Sequence, residues 1–192
     1  MKPRSHLTNI NGKKIIVVGE GGVGKTTLLH RSIDDEFLDS TEMTIGSDFF
    51  VKKGDNSDEG QEKQPYMLIW DFAGQERFRF ILKDYLRGTK GVILCFDLTK
   101  SRTLRKLYGW IDLLKEGGIW GNQNGSIWGN EVKFFLVGTK NDLAPNNPDA
   151  ISKKMIKKFM SENNIKQFFK TSALDSSGVD ELFTHINKYM FY

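Results

Sequence analysis

Gly19-Glu20-Gly21-Gly22-Val23-Gly24-Lys25-Thr26 decides how this chain is read. It fits the pattern G-x-x-x-x-G-K-[S/T], follows the apolar run Ile15-Ile16-Val17-Val18, and opens a stretch of helical character. Glycines let successive backbone N–H groups turn inward around a phosphate, and a helix N-terminus adds positive potential. Lys25 brings a point charge to the outer phosphates, and the Thr26 hydroxyl is placed to ligate Mg²⁺. A glycine-rich turn with an incidental lysine has no need to stand between a strand and a helix. The chain is expected to bind a nucleoside phosphate.

Outward from this stretch, the hydrophobic pattern alternates short apolar runs with amphipathic segments. Strands are expected at Lys14–Gly19, Ser47–Lys52, Tyr66–Asp71, Gly91–Asp97, Val132–Gly138 and Gln167–Lys170. Continuous runs such as Phe134-Phe135-Leu136-Val137 suit strands covered on both faces, as in parallel sheets. Helical stripes run through Leu104, Leu107, Ile111 and Leu114, through Met155, Ile156, Phe159 and Met160, and through Val179, Leu182, Phe183, Ile186 and Met190. No helix fits the polar stretch from Gly54 to Glu62, so Ser47–Lys52 and Tyr66–Asp71 are read as an antiparallel hairpin. The order β-α-β-β-α-β-α-β-α-β-α predicts an α/β fold: a six-stranded mixed, mainly parallel sheet with about five helices on both faces.

The 192 residues suit one domain over 1–192, with an N-terminal extension at 1–12. A Gly/Trp/Asn insertion at 117–130 carries Ile-Trp-Gly-Asn twice and reads as an elaborated loop before the fifth strand. Its two tryptophans could anchor a partner, or could fold back on the helix Leu104–Leu114. A net charge of +4 is too mild and too dispersed for a nucleic-acid partner. A single cysteine, Cys95, excludes an internal disulfide and multi-cysteine zinc sites, and its apolar strand makes it inert core. His6, His30 and His185 share no metal-ligand spacing. The longest uncharged apolar run, Val92 to Phe96, is far too short to span a bilayer, and the N-terminus has no signal-peptide core. A monomeric cytoplasmic protein is expected. Lys153, Lys154, Lys157 and Lys158 read as a solvated helix face.

Further motifs follow the strands in order. Asp71-Phe72-Ala73-Gly74-Gln75-Glu76 puts an acidic residue at a strand end beside the cradle, suited to hold Mg²⁺ directly or through water. Taken alone, Asp71 would equally suit a strand-end turn. Gly74 leaves its backbone N–H free to approach a γ-phosphate. Thr139-Lys140-Asn141-Asp142 offers a carboxylate that can accept two hydrogen bonds from the N1–H and N2–H₂ edge of guanine; adenine has no such donors. In Thr171-Ser172-Ala173-Leu174, small residues let backbone N–H groups approach a base oxygen.

These motifs together resemble the small GTPases of the Ras superfamily, and most closely their Rab branch. Thr44-Ile45-Gly46-Ser47-Asp48-Phe49-Phe50, Trp70 to Arg79, and Tyr85-Leu86-Arg87-Gly88-Thr89-Lys90-Gly91-Val92 all resemble Rab segments, and the likeness runs from about Lys13 to Met190. It implies a GTP/GDP switch with slow intrinsic hydrolysis, of the kind used in membrane trafficking or related regulation. Two loops, around Asp39–Gly46 and Phe72–Tyr85, would be ordered by the γ-phosphate and would receive effectors, exchange factors and GTPase-activating proteins. It further implies nucleotide contacts at Gly21, Gly22, Val23, Gly24, Lys25, Thr26, Thr27, Gly74, Thr139, Lys140, Asp142, Ser172, Ala173 and Leu174. Phe37, by its distance from Lys25, would stack on guanine, and Thr44 would sense the γ-phosphate. Mg²⁺ would sit on Thr26, Thr44 and Asp71, with Gln75 orienting the attacking water and Lys25 and Thr44 stabilising charge. No arginine is identifiable that would supply charge in cis; Arg77 and Arg79 are weak candidates for it and read rather as solvated charges that touch effectors.

Three departures from the family stand out. Thr139 replaces the usual asparagine of the base motif, although its hydroxyl can still brace the loop. No C-terminal cysteine offers a lipid anchor, so either a tail has been removed, or membrane attachment uses another route, or there is none; a Rab-like domain without a lipid site would suit a prokaryotic, archaeal relative. The Ile-Trp-Gly-Asn insertion lies outside the pattern. Two other readings compete: a nucleotide-loaded recruitment module with little hydrolysis, and a P-loop kinase or ATPase. Asp142 and Ser172-Ala173 argue against the latter, and the complete set Gly21, Thr44 and Gln75 against an inactive scaffold.

Overall fold

The structure is a computed structural model, and it describes residues 11–37, 43–54, 65–120, 131–145 and 147–191. β1 (Asn11–Gly19) leads through the cradle into α1 (Lys25–Asp34). β2 (Ser47–Lys53) and β3 (Pro65–Phe72) follow, then a 3-10 helix at Glu76–Ile81 that runs into the short α2 (Leu82–Tyr85). β4 (Thr89–Asp97), α3 (Ser101–Glu116), β5 (Lys133–Thr139), α4 (Lys153–Glu162), β6 (Gln167–Lys170) and α5 (Val179–Phe191) complete the chain.

The six strands lie in the order β2-β3-β1-β4-β5-β6, and only the β2–β3 pair is antiparallel. Strand periodicity explains why helices cover both faces. Ile16 and Val18 of β1, with Val92, Leu94 and Phe96 of β4, face α3 and α4 through Leu104, Leu107, Trp110, Ile111, Ile156 and Phe159. The alternate residues Ile15, Val17, Ile93, Cys95, Phe135 and Val137 face α1 and α5 through Leu28, Leu29, Leu182, Phe183 and Ile186. The mixed, mainly parallel sheet expected from the apolar runs is what forms. β1 lies between β3 and β4, so chain order reverses at its carboxyl end and opens a crevice there. The sequence Gly19–Lys25 occupies that crevice.

Several expectations need correction. The 1–12 extension is shorter, because Asn11 and Gly12 already pair with Pro65 and Tyr66 in the sheet; residues 1–10 lie outside the described residues. Met155, placed on an apolar stripe, is 38% exposed, at the start of α4 where its N–H is capped by the Ser152 hydroxyl, while Ile156 and Phe159 of the same stripe are buried. Arg79 is not solvated: its guanidinium lies 4.7 Å over the ring of the fully buried Trp110 and 3.6 Å from Glu76. Lys14 is likewise drawn over Trp70 and Tyr85. In the insertion, Ile119 is buried and the half-buried Trp120 packs 4.1 Å from Phe134 at the start of β5, so of the two alternatives for this tryptophan the fold-back forms, against β5. Trp128, the hairpin turn at 55–64 and the switch segment at 38–42 lie outside the described residues.

Candidate functional site

The cradle is built by backbone geometry. Gly22 (φ 73°) and Gly24 (φ 95°) take left-handed conformations that a β-carbon disfavours, and Gly24 opens α1. Lys25, 6% exposed, folds back so that Nζ donates to the carbonyls of Gly19 and Glu20 at 3.2 Å each. Burial pulls its pKa below the ordinary lysine value, and the nearby Asp71 partly opposes this.

At the end of β3, Asp71 is fully buried. Thr26 donates its hydroxyl to Asp71 Oδ2 at 2.5 Å and lies 3.1 Å from the Thr44 hydroxyl. The second carboxylate oxygen, Asp71 Oδ1, is buried without a hydrogen-bond partner among the described residues. Burial pushes the Asp71 carboxyl up, with Lys25 and then the Thr26 hydroxyl counteracting it. Two hydroxyls and an orphaned carboxylate oxygen beside a phosphate cradle form a hard-oxygen set that fits Mg²⁺, an ion that keeps several waters and needs few protein ligands. Among the described residues there is no cluster of three or more His, Cys, Asp or Glu that could hold a metal in another way.

A cavity of about 80 Å³ runs along this edge, lined by Gly21, Gly22, Gly24, Lys25, Thr26 and Thr27 on one side and by Met43, Thr44, Gly74 and Gln75 on the other. Gly74 is there because nothing larger fits: a β-carbon on it would stand 2.1 Å from the Gly21 nitrogen. The Gln75 amide donates from Nε2 to Met43 Sδ at 3.1 Å. Val23 is buried beneath the loop.

The other end is assembled from β5 and the loop after β6. The Thr139 hydroxyl reaches Val23 O (2.5 Å) and Phe96 O (2.9 Å), so threonine does brace the cradle against β4. Lys140, held at φ 57°, donates to Gly22 O at 2.9 Å and pairs with Asp97 Oδ2 at 2.9 Å. Asp142 is half-buried, and its carboxylate carries no hydrogen bond or ion pair among the described residues. Ser172 is buried, and its hydroxyl accepts from Leu174 N and Asp175 N. Phe37 and Leu174 stand 37% and 53% exposed, and Ala173 lies between the buried serine and the exposed leucine. The two ends meet through Thr139 and Lys140, which bond to Val23 and Gly22 of the cradle.

Four contributors escape the motif reading. Asp97, 1% exposed, accepts from the Thr99 amide (2.9 Å) and hydroxyl (2.6 Å) while pairing with Lys140. Burial alone would raise its pKa, but the Thr99 hydroxyl, Lys140 and the Thr99 amide together hold it below the ordinary carboxylate value. Asp-x-Thr after a strand is a turn signature that could have revealed the local half of this arrangement. Met43 beside Gln75, and Arg31 against the loop after β6, carry no local signal.

Comparison with known proteins agrees with this geometry. The Ras family model matches residues 14–191. Mouse (Mus musculus) Ras-related protein Rab-12 is 34% identical over 170 residues, 88% of this chain and 63% of that protein. Dog (Canis lupus familiaris) Rab-13 is 35% identical over 173 residues, covering 90% of this chain and 77% of that protein. The maize (Zea mays) "GTP-binding protein YPTM2" is 35% identical over 170 residues, covering 88% and 75%. The chain thus spans less than two thirds of Rab-12 and about three quarters of the other two. With a family match over nearly its whole length and Rab relatives above 30% identity, this chain belongs to the Ras family, in its Rab branch.

Proposed function

We propose that this chain is a Mg²⁺-dependent GTPase that works as a GTP/GDP switch with slow intrinsic turnover. The observation that carries the reading is the meeting of Thr26, Thr44 and the unpaired Asp71 Oδ1 beside the Lys25 cradle, with Gly74 and Gln75 on the same cavity wall. A relative described as GTP-binding supports the choice of nucleotide. So does the open Asp142 carboxylate, which suits the two donors of the guanine edge.

In this reading the backbone N–H groups of Gly21, Gly22, Val23, Gly24, Lys25 and Thr26 bind the phosphates, and Thr27 closes the cradle at the start of α1. Thr26, Thr44 and Asp71 hold Mg²⁺. The ion, when bound, draws charge from the phosphate oxygens. Phe37 and the Lys140 stem flank the base, Asp142 takes its N1–H and N2–H₂, and the Ser172–Leu174 backbone faces its oxygen. Gln75 orients a water whose oxygen bonds to the γ-phosphorus as the bond from that phosphorus to the β–γ bridging oxygen breaks; GDP leaves with the electron pair of that bond, the proton of the water passes to the phosphate oxygens, and inorganic phosphate is the second product. Lys25 and Thr44 stabilise the charge that moves onto the phosphate oxygens. To act, the Gln75 amide must leave Met43 Sδ, a weak acceptor that releases it at little cost. Among the described residues the cavity is lined by no arginine, which supports slow turnover unless a partner supplies that charge. Effectors, exchange factors and activating proteins would meet a monomer at the segments around Thr44 and Gln75.

Single-turnover hydrolysis tests this. Gln75→Leu should slow it by as much as about a hundredfold with nucleotide affinity retained; an unchanged rate removes Gln75 from the mechanism. The Met43 contact also favours a second reading, a recruitment module whose glutamine stays parked. Absence of turnover in the wild type, with GTP firmly held, would select it.

A further inference from the structure

Arg31, in the last turn of α1, ties the exit of its own helix to one distant segment through a single guanidinium. Its side chain is only 13% exposed. Nε donates to Ala173 O at 2.7 Å and Nη2 to Leu174 O at 3.5 Å, across 142 and 143 residues of chain. Nη1 donates to Asp35 O at 2.8 Å and lies 3.2 Å from Asp35 Oδ1. Asp35, at φ 52°, is the left-handed residue that ends α1 and turns the chain toward Phe37. A guanidinium is a rigid planar fork, so these partners are held in one register, which a lysine could not do.

The consequence lies in the peptide planes of the loop after β6. The carbonyl of Ala173 shares its plane with the N–H of Leu174, and that of Leu174 with the N–H of Asp175. Both of those N–H groups are taken by Ser172 Oγ, at 3.2 and 3.3 Å. Arg31 holds the carbonyl side of the same two planes. Ser172 N is spent on Ser177 O. The N–H of Ala173 stands outside all of these bonds, at the point where the loop turns.

We propose that Arg31 is a positioning residue that aims the Ala173 N–H at the nucleotide base and couples this aim to the exit of α1. Displacing the segment after Asp35, as a partner seated on it would, loosens the base end through the shared guanidinium and speeds nucleotide release. This rests on the guanine-nucleotide reading above and adds a residue outside the motifs, with a route by which release is controlled.

The test uses the full chain loaded with a fluorescent GDP in Mg²⁺. Arg31→Ala should speed release by about tenfold or more, equivalent to about 1.4 kcal/mol. Arg31→Lys, a single point charge, should fall between it and the wild type. Asp35→Ala should have a smaller effect, since the Asp35 carbonyl remains. Single-turnover hydrolysis by protein preloaded with GTP should stay unchanged, because Arg31 touches nothing at the phosphate end. Release at the wild-type rate in Arg31→Ala overturns the proposal; so do release and hydrolysis changing by one factor together with a fall in melting temperature, the mark of a merely structural role. If Arg31→Ala does not fold, the split between release and hydrolysis in Arg31→Lys decides in the same way. Failure of the wild type to retain GDP at all is a different result, and it overturns the guanine-nucleotide reading itself.

Discussion

The phosphate end and the base end of this site are held in opposite ways. At the phosphate end the polar groups turn on one another: Lys25 donates to its own loop, Thr26 to Asp71, and one carboxylate oxygen is left buried and unpaired. Charge is stored there at a cost that a ligand relieves. At the base end the polar groups turn outward to the scaffold. Thr139 bonds to β4 and the cradle, Lys140 to Asp97, and Arg31 to the last loop, leaving Asp142 without a partner among the described residues and Phe37 and Leu174 exposed. The lesson is a division of labour. Ligand charge completes the phosphate end, whereas the base end is a prebuilt frame with one open hydrogen-bonding edge.

The sharpest way to break this contrast is Asp142→Ala. It removes two charge-assisted bonds to guanine, each about 1.5–3 kcal/mol, so GDP affinity should fall by about 10²–10⁴-fold. Because the carboxylate has no hydrogen bond or ion pair among the described residues, the melting temperature without nucleotide should not change. Calorimetry and thermal melting check the two halves, and a large loss of nucleotide-free stability would show that Asp142 belongs to the frame.

Asp97→Asn attacks the frame instead. The folded pKa of Asp97 lies below its unfolded value, so its contribution is present above the unfolded carboxylate pKa, near about 4, and is lost as pH falls through the folded value. The variant should lose about 1–3 kcal/mol at neutral pH and show a flatter decline on acidification. Melting curves from neutral to strongly acidic pH test both; parallel acid limbs would remove Asp97 from the account.

The smallest effect is expected far from both ends. Trp120→Ala should lose at least the ring pairing with Phe134, about 0.5–1.5 kcal/mol. Nucleotide affinity and self-association should not move. Loss of an association with stability intact would restore the insertion as a docking surface.

What could be read from the sequence was whatever depends on short spacing. Ile15 to Val18 and Phe134 to Val137 announce strands covered on both faces, and Gly19–Thr26 fixes where the chain turns between one of them and a helix. The candidate residues Thr26, Thr44, Asp71, Gly74 and Gln75 were legible as motifs, and they do converge. The frame was not legible, because its contacts join residues far apart in the chain. Arg31 to Ala173 and Thr139 to Val23 are tertiary bonds that no local pattern encodes. Arg79 misled for a related reason: a charged residue in a polar segment looks solvated until a ring such as Trp110 is brought beneath it, and the choice between the two alternatives for Trp120 likewise depended on the distant Phe134.

The central claim is that this site takes a guanine nucleotide with Mg²⁺. Calorimetric titration of the full chain with GTP and with ATP, each with Mg²⁺ and with the ion chelated, tests it most directly. The account predicts tight GTP binding that weakens when Mg²⁺ is removed, and no comparable binding of ATP under either condition. ATP bound in Mg²⁺ as tightly as GTP would contradict it.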